Sequence, residues 1–462
     1  MTGLFSRMVG RWFDSRLHLA KFVRKAVNHV FPDHWSFLLG EIAMYSFIIL
    51  VITGAFLALF FNASAAKVVY HGSYAGLQGV HMSAAYKSAI DISFDVRGGL
   101  LVRQMHHWAA LIFVCAIVTH IARIFFTAAY RRPREINWII GLTLLLLALG
   151  NGYFGYSIPG DLLSGAGLRV AYSITISVPI IGPWLAYVFL GGNIPSDMTI
   201  PRMYGWHIFL VPALISILLG LHLGIIWRQK HTNYPGPRRT DATIVGSRLW
   251  PSYTAKSLGL FFLLFGLVAL LGALVQIDPI WVYGPYDPAA ASPGAQPDWY
   301  LGWIEGAMRM FPAVNLHFWN WLVPEVFFPA FLFPCLVFLA LYLFPFFERF
   351  ISLDRQPHNV LRLPYQQPFN TAFGCGAFIF FLTLLFAGSD DVIAVATGGS
   401  VVIIRAALRT AFFVAPPLTF ALVYLLCKRK NRRSESAATL MAENPILEDE
   451  PTASALEFEK PV

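Results

Sequence analysis

The sequence predicts an all-α integral membrane protein with eight transmembrane helices. Composition is the first reason: of 462 residues, 57% are hydrophobic and 13% charged, against about 25% charged in a soluble domain, and mean hydropathy is +0.60. Run length is the second, because eight apolar stretches are long enough to cross a hydrocarbon core roughly 30 Å thick. Charge placement is the third. The N-terminal segment and the connections after the second, fourth and sixth stretches hold 18 Lys and Arg, and the other connections hold 6. The positive-inside rule then puts the first set, and both termini, in the cytoplasm of a multi-pass cell-membrane protein.

Residues 1–36 scatter Arg and Lys among apolar residues, without the continuous apolar run or cleavage site of a signal peptide. They read as a basic amphipathic segment on the membrane surface. The spans fall at 37–61, 100–126, 137–156, 204–227, 257–277, 321–347, 372–387 and 403–427. The last is interrupted by Arg405, Arg409 and the pair Pro416-Pro417. Residues 37–230 form an N-terminal four-span domain and 231–427 a C-terminal one. From Lys428 a basic cluster gives way to acidic, Pro/Ala/Ser-rich sequence, so 428–462 is expected to be a disordered tail. The net charge of +9 follows the membrane rather than a nucleic-acid face. Cys115, Cys335, Cys375 and Cys427 show no C-x-x-C pattern, which argues against c-type haem, an iron–sulfur cluster or a zinc site in this chain.

Within the apolar helices, His106 precedes His120 by 14 residues and His207 precedes His222 by 15. That is roughly 21–22 Å along a helix, and the members of each pair share a face to within about 40–60°. Spans two and four run in the same direction, so His106 meets His207 near the outer surface and His120 meets His222 nearer the cytoplasm. Four imidazoles at two matched depths predict a four-helix bundle in the N-terminal half that clamps two b-type haems, outer iron on His106 and His207, inner iron on His120 and His222. His107 lies about 100° off the shared face and reads as a packing or interfacial residue.

Glycines repeat the interval. Gly40 and Gly54 in the first span, and Gly141 and Gly155 in the third, are each 14 apart. A residue without a side chain admits a planar macrocycle edge; small residues for helix contact explain each glycine alone but not the shared spacing. Arg103 and Arg123 lie one turn from a ligand, placed either to pair with haem propionates or to snorkel to the interfaces.

With these residues in view, the chain resembles cytochrome b of the quinol–cytochrome c reductase (cytochrome bc) complex. The likeness covers roughly residues 30–427. It rests on R-Q-M-H at 103–106, H-I-A-R at 120–123, the glycine pairs, G-Y-S-I-P at 155–159 and P-D-W-Y at 297–300. W-S-F-L-L-G-E-I-A from Trp35, R-R-P-R-E from Arg131 and G-D-L-L-S-G from Gly160 are similar to the actinobacterial branch. The 15-residue interval in span four departs from the mitochondrial pattern and is similar to the chloroplast-type and actinobacterial proteins.

The resemblance implies quinol oxidation in the outer loop after span five. There Asp298 stands where the family usually carries Glu, with Tyr300 beside it, Tyr156 on the pocket wall and Glu305 as a second carboxylate that either helps the proton relay or is structural. For the inner quinone site the family's histidine aligns with Trp227, and Lys256-Ser257 replaces a Lys-Asp pair, leaving Lys256 without its carboxylate. His231 either takes a proton role or is a solvated loop residue. The resemblance also implies menaquinone, a Rieske iron–sulfur subunit, a cytochrome c-type subunit, a dimeric complex and association with a haem–copper oxidase. A two-haem anchor of a hydrogenase or formate dehydrogenase would lack P-D-W-Y in such a loop, and a polytopic transporter would lack paired ligands at two depths.

Overall fold

The computed structural model describes residues 2–194, 196–290, 296–319 and 321–443. Among them are eight helices long and apolar enough to cross a membrane: Trp35–Ala58, Gly99–Phe126, Glu135–Ser157, Thr199–Gln229, Leu249–Leu274, Phe328–Ser352, Pro368–Gly388 and Val401–Ser436. They are numbered here as spans one to eight. Helices Thr2–Leu17 and Leu19–Val27 precede them, the second with Arg24 and Lys25 in its last turn, where the helix dipole favours them.

Spans one to four surround a buried apolar cluster that includes Phe47, Phe113, Val114, Ile117, Leu145 and Ile215. These residues lie, along each helix, between the two histidine levels, and Phe47 stacks on Phe113 with centroids 5.8 Å apart. Span five packs on spans one and two through Tyr45, Ile49, Met105, Ala109, Leu264 and Val268. Its end is pinned by Gln104, which donates to the Ile277 carbonyl and accepts from the Ile277 N–H, both at 2.9 Å. At the other end, Val30 and Phe31 pair antiparallel with Arg248 and Ser247, tying the entry of span one to the entry of span five.

The C-terminal spans pack through backbone approaches. The absent Cβ of Gly376 would lie 3.2 Å from the Pro416 carbonyl of span eight. A short helix, Gly302–Met310, crosses span seven at Gly306, where a Cβ would overlap the Leu384 carbonyl.

Three boundaries differ from the sequence reading. Span six begins at Phe328, because the β-prone Trp321–Val323 turns back on Leu316–Phe318 as a hairpin. Span five starts eight residues earlier than expected, through a turn at Leu249–Tyr253. Span eight is uninterrupted: its helix runs Val401–Glu443 with both prolines inside, so the expected disordered tail is helical from Lys428 to Glu443. Residues 444–462 lie outside the described residues.

The crossing at Gly306 generates a prediction. Gly306→Ala forces a methyl group into backbone, whereas the Cβ of Gly302→Ala meets only Leu385 Cδ1, the far end of a flexible side chain, at 2.7 Å. Gly306→Ala is expected to cost about 1–3 kcal/mol and Gly302→Ala less. Thermal denaturation of the detergent-purified protein ranks the two, and equal losses would contradict the crossing.

Candidate functional site

The four histidines form two facing pairs. The His106 and His207 rings face each other with centroids 6.0 Å apart and planes at 78°, which leaves room for an ion about 2 Å from one nitrogen of each. His106 Nδ1 lies 2.9 Å from Thr53 Oγ1, and the Thr53 hydroxyl donates to the Ile49 carbonyl at 2.7 Å. The imidazole is therefore the donor, through Nδ1–H. His207 Nδ1–H donates to the Asn151 carbonyl at 2.9 Å. In both rings this tautomer leaves the Nε2 lone pair free, the arrangement that orients a metal-ligating imidazole.

Each histidine is backed by one of the four glycines. A Cβ on Gly54 would lie 3.1 Å from His106 Cε1, and one on Gly155 would lie 2.5 Å from His207 Cε1. At the other level, Gly40 faces His120 at 3.1 Å and Gly141 faces His222 at 3.7 Å. The space these glycines leave is occupied by the imidazoles. The shared interval follows because glycine and histidine repeat together on adjacent helices.

The 15-residue interval has a local cause. Span four contains a wide turn at Trp206–Leu210, closed by an i→i−5 bond from Val211 N–H to the Trp206 carbonyl. Pro212 follows and has no N–H for the Ile208 carbonyl, which opens the ladder at this point. One extra residue is thereby absorbed beside His207, and the face of His222 is kept.

A cavity of about 430 Å³ opens at the His120 and His222 level. His120 Nδ1 is buried there without a hydrogen-bond partner, as are Nε and Nη2 of Arg123, whose guanidinium lies 4.1 Å over the Phe37 ring. These are orphans that an anionic, metal-bearing ligand would satisfy. Arg103, at the other level, also has a buried orphan Nε, while its terminal nitrogens donate to the Asp278 carbonyl at 3.4 Å.

Near the His106 and His207 level, Asp298 is held on both oxygens. Its Oδ1 lies 3.0 Å from His107 Nε2, and its Oδ2 accepts from the Tyr300 hydroxyl at 2.9 Å. Tyr300 is buried against Gly152, whose missing side chain leaves space for the hydroxyl. Tyr156 donates to the Gln296 carbonyl at 3.3 Å, on the stretch leading to Asp298. Glu305 is committed elsewhere: its Oε1 pairs with Arg309 at 2.5 Å, and Arg309 also binds Asp390 and Asp391. Only Oε2 is left, buried without a partner. Burial holds the Glu305 carboxyl above its usual range, partly opposed by Arg309. Asp161, of the G-D-L-L-S-G motif, caps helix Leu162–Ile176 and is pushed up to about 7 by burial and by Asp278.

Two sequence readings change. His107 is no mere packing residue, since its direction off the ligand face is what brings it to Asp298. Lys256 does not line the cavity: it is exposed and pairs with Asp33 at 2.7 Å. His231, by contrast, is no solvated loop residue. It lies against Phe31 with centroids 4.6 Å apart and lines the cavity together with Trp227, which stacks on His29 at 4.4 Å. Burial, with His29, Arg134 and Arg123 adding, lowers the His231 ring to about 4, so it is neutral at pH 7.

Missed altogether was Glu41, which lines the cavity and accepts hydrogen bonds from Tyr253 and Ser257. The signal was a charged residue in an apolar span, directly after Gly40.

Comparison with known proteins closes the question of family. A family model described as cytochrome b(N-terminal)/b6/petB matches residues 111–285. The cytochrome bc1 complex cytochrome b subunit of Mycobacterium tuberculosis is 46% identical over 450 residues, covering 97% of this chain and 82% of the relative. That of Streptomyces coelicolor is 43% identical over 455 residues, covering 98% and 83%. A solved structure titled hyperthermophilic respiratory Complex III shares the fold, with a TM-score of 0.64 at 23% identity, covering 90% of this chain and 99% of the other. By these identities along nearly its whole length, the chain belongs to the family of cytochrome b subunits of the cytochrome bc1 complex.

Proposed function

We propose that this multi-pass membrane protein oxidises menaquinol at an outer site and reduces quinone at an inner one. In this reading His106 and His207 hold an outer b-type haem, and His120 and His222 an inner one. The observation that carries it is the backing of all four imidazoles by glycines, with the outer pair fixed through Nδ1 so that Nε2 stays free. When bound, the two haems supply one-electron transfer between the outer and inner ends. Arg123, and less directly Arg103, offers a buried cation to haem propionates. The Phe47 and Phe113 cluster keeps water from the space between the levels. The excess of Lys and Arg in alternate connections supports cytoplasmic termini and hence this naming of outer and inner.

At the outer site Asp298 accepts a quinol proton. His107 and Tyr300 hold its two oxygens toward a fixed direction. Tyr156 and Tyr300 form the adjoining wall. The partners in this reading are a Rieske iron–sulfur subunit, a cytochrome c-type subunit and a haem–copper oxidase, in a dimeric complex. Reduced-minus-oxidised optical spectra, followed by menaquinol-dependent haem reduction, test the whole proposal. An absence of b-type signals would end it.

Three outcomes are expected. His120→Ala removes the inner b-haem signal and leaves the outer one, with His107 unable to substitute because it is held at Asp298; two full signals would refute the ligand assignment. Gly155→Ala displaces His207 and lowers outer-haem content, while Gly141→Ala, with its 3.7 Å of clearance, retains inner haem; haem quantitation of both variants ranks them. Asp298→Asn keeps both haems but slows quinol oxidation by about 10²–10⁴-fold, measured with the inner site inhibited. Wild-type turnover in that variant would move the proton path away from Asp298.

A further inference from the structure

Ser257 stands where the family resemblance led to an acid after Lys256. The chain restores a carboxylate from a different helix. Glu41, in the first turn of span one, faces the wall of the inner cavity and meets span five there. Tyr253 donates to Oε1 and Ser257 donates to Oε2, while Tyr45 lies 2.5 Å from Ser257 Oγ and extends the chain by one hydroxyl. Because the Ser257 hydrogen points to Glu41, the Tyr45 hydroxyl donates to Ser257. Among the described residues no Lys or Arg is within ion-pairing distance of Glu41. Lys256, the nearest lysine in sequence on span five, is engaged by Asp33 and Ser247 on the exposed side. A carboxyl group with hydroxyl partners and no fixed cation, at an apolar cavity wall, stands where it can pass a proton to a molecule in the cavity.

We propose that Glu41 is the catalytic acid of the inner quinone site. This rests on the reading of the cavity as that site. Quinone gains two electrons and two protons to become quinol, and the electrons are those released by quinol at the outer site. For each electron, the Glu41 O–H bond breaks and a quinone O–H bond forms, leaving the Glu41 carboxylate. That carboxylate is reprotonated from cytoplasmic water past the exposed Asp33–Lys256 pair, and acts a second time. Tyr253 and Ser257 are positioning residues: they hold the carboxyl group at the wall and do not themselves supply the proton.

The test uses the intact complex with the outer site blocked by an inhibitor, so that a short-tailed menaquinol reduces haem only through the inner site. Glu41→Gln should slow this reaction by about 10²–10⁴-fold. Both haem spectra, and quinol oxidation measured with the inner site blocked instead, should be unchanged. Tyr253→Phe, which removes one hydrogen bond and keeps the acid, should lose far less. An infrared redox-difference spectrum should contain a carboxyl C=O band that disappears in Glu41→Gln. An undiminished inner rate in Glu41→Gln would overturn the proposal, as would a loss in Tyr253→Phe equal to that in Glu41→Gln, since that is the mark of positioning alone. Should Glu41→Gln fail to assemble, Glu41→Ala, which also removes the ionisable group, carries the same comparison; an undiminished rate there is equally fatal. If the wild-type complex itself shows no inner-site haem reduction, the site assignment fails, whatever the variant does.

Discussion

An imidazole inside a membrane-crossing helix is tolerated only when both of its nitrogens are provided for, and the N-terminal half of this protein is organised around that constraint. For His106 and His207 one nitrogen is settled within the protein, by Thr53 and by the Asn151 carbonyl. Settling it fixes the tautomer and turns the other nitrogen inward. The rings must then stand upright between helices that would otherwise touch, which is why glycine faces each of them. The close packing of the four helices, with the apolar cluster between the two levels, goes with seating four flat polar rings against four glycines.

Eight spans, four histidines and four glycines were legible because each leaves a periodic trace: run length for the spans, and a 14-residue beat for the rest. Contacts between distant segments leave no such trace. Glu41 and Ser257 are 216 residues apart, and nothing in either local sequence announces that they meet. His107 was misjudged for a related reason. Helical phase correctly removed it from the ligand face, but phase cannot say what a side chain meets on the other face. Spacing found the glycines, but it could not show that each one faces an imidazole. The strand Trp321–Val323 was read as the start of span six because apolar length alone does not separate strand from helix.

The two ends of the molecule handle carboxylates differently. Near the level of His106 and His207, Arg309 gathers Glu305, Asp390 and Asp391, and Arg405 binds Asp390 from span eight. That network joins the short helix after P-D-W-Y to the last two spans. Although spans five to eight carry none of the four paired histidines, they therefore determine where Asp298 stands. At the cavity level Glu41 meets no such cation among the described residues. Its carboxylate is held by hydroxyl groups from a neighbouring helix, a lighter attachment that costs little to break and remake.

The wide turn beside His207 lets the 15-residue histidine spacing of span four match the 14-residue spacing of span two. A helix that gains a residue normally rotates everything beyond it by about 100°. Here the added residue is taken up within one loosened turn, next to a proline that had already cost the ladder a hydrogen bond. The rest of span four keeps its face, and His222 still meets Gly141. Counting residues between ligands is therefore an unreliable ruler for such bundles. Two helices with different histidine spacings thus bring their imidazoles together at the same two levels of one bundle.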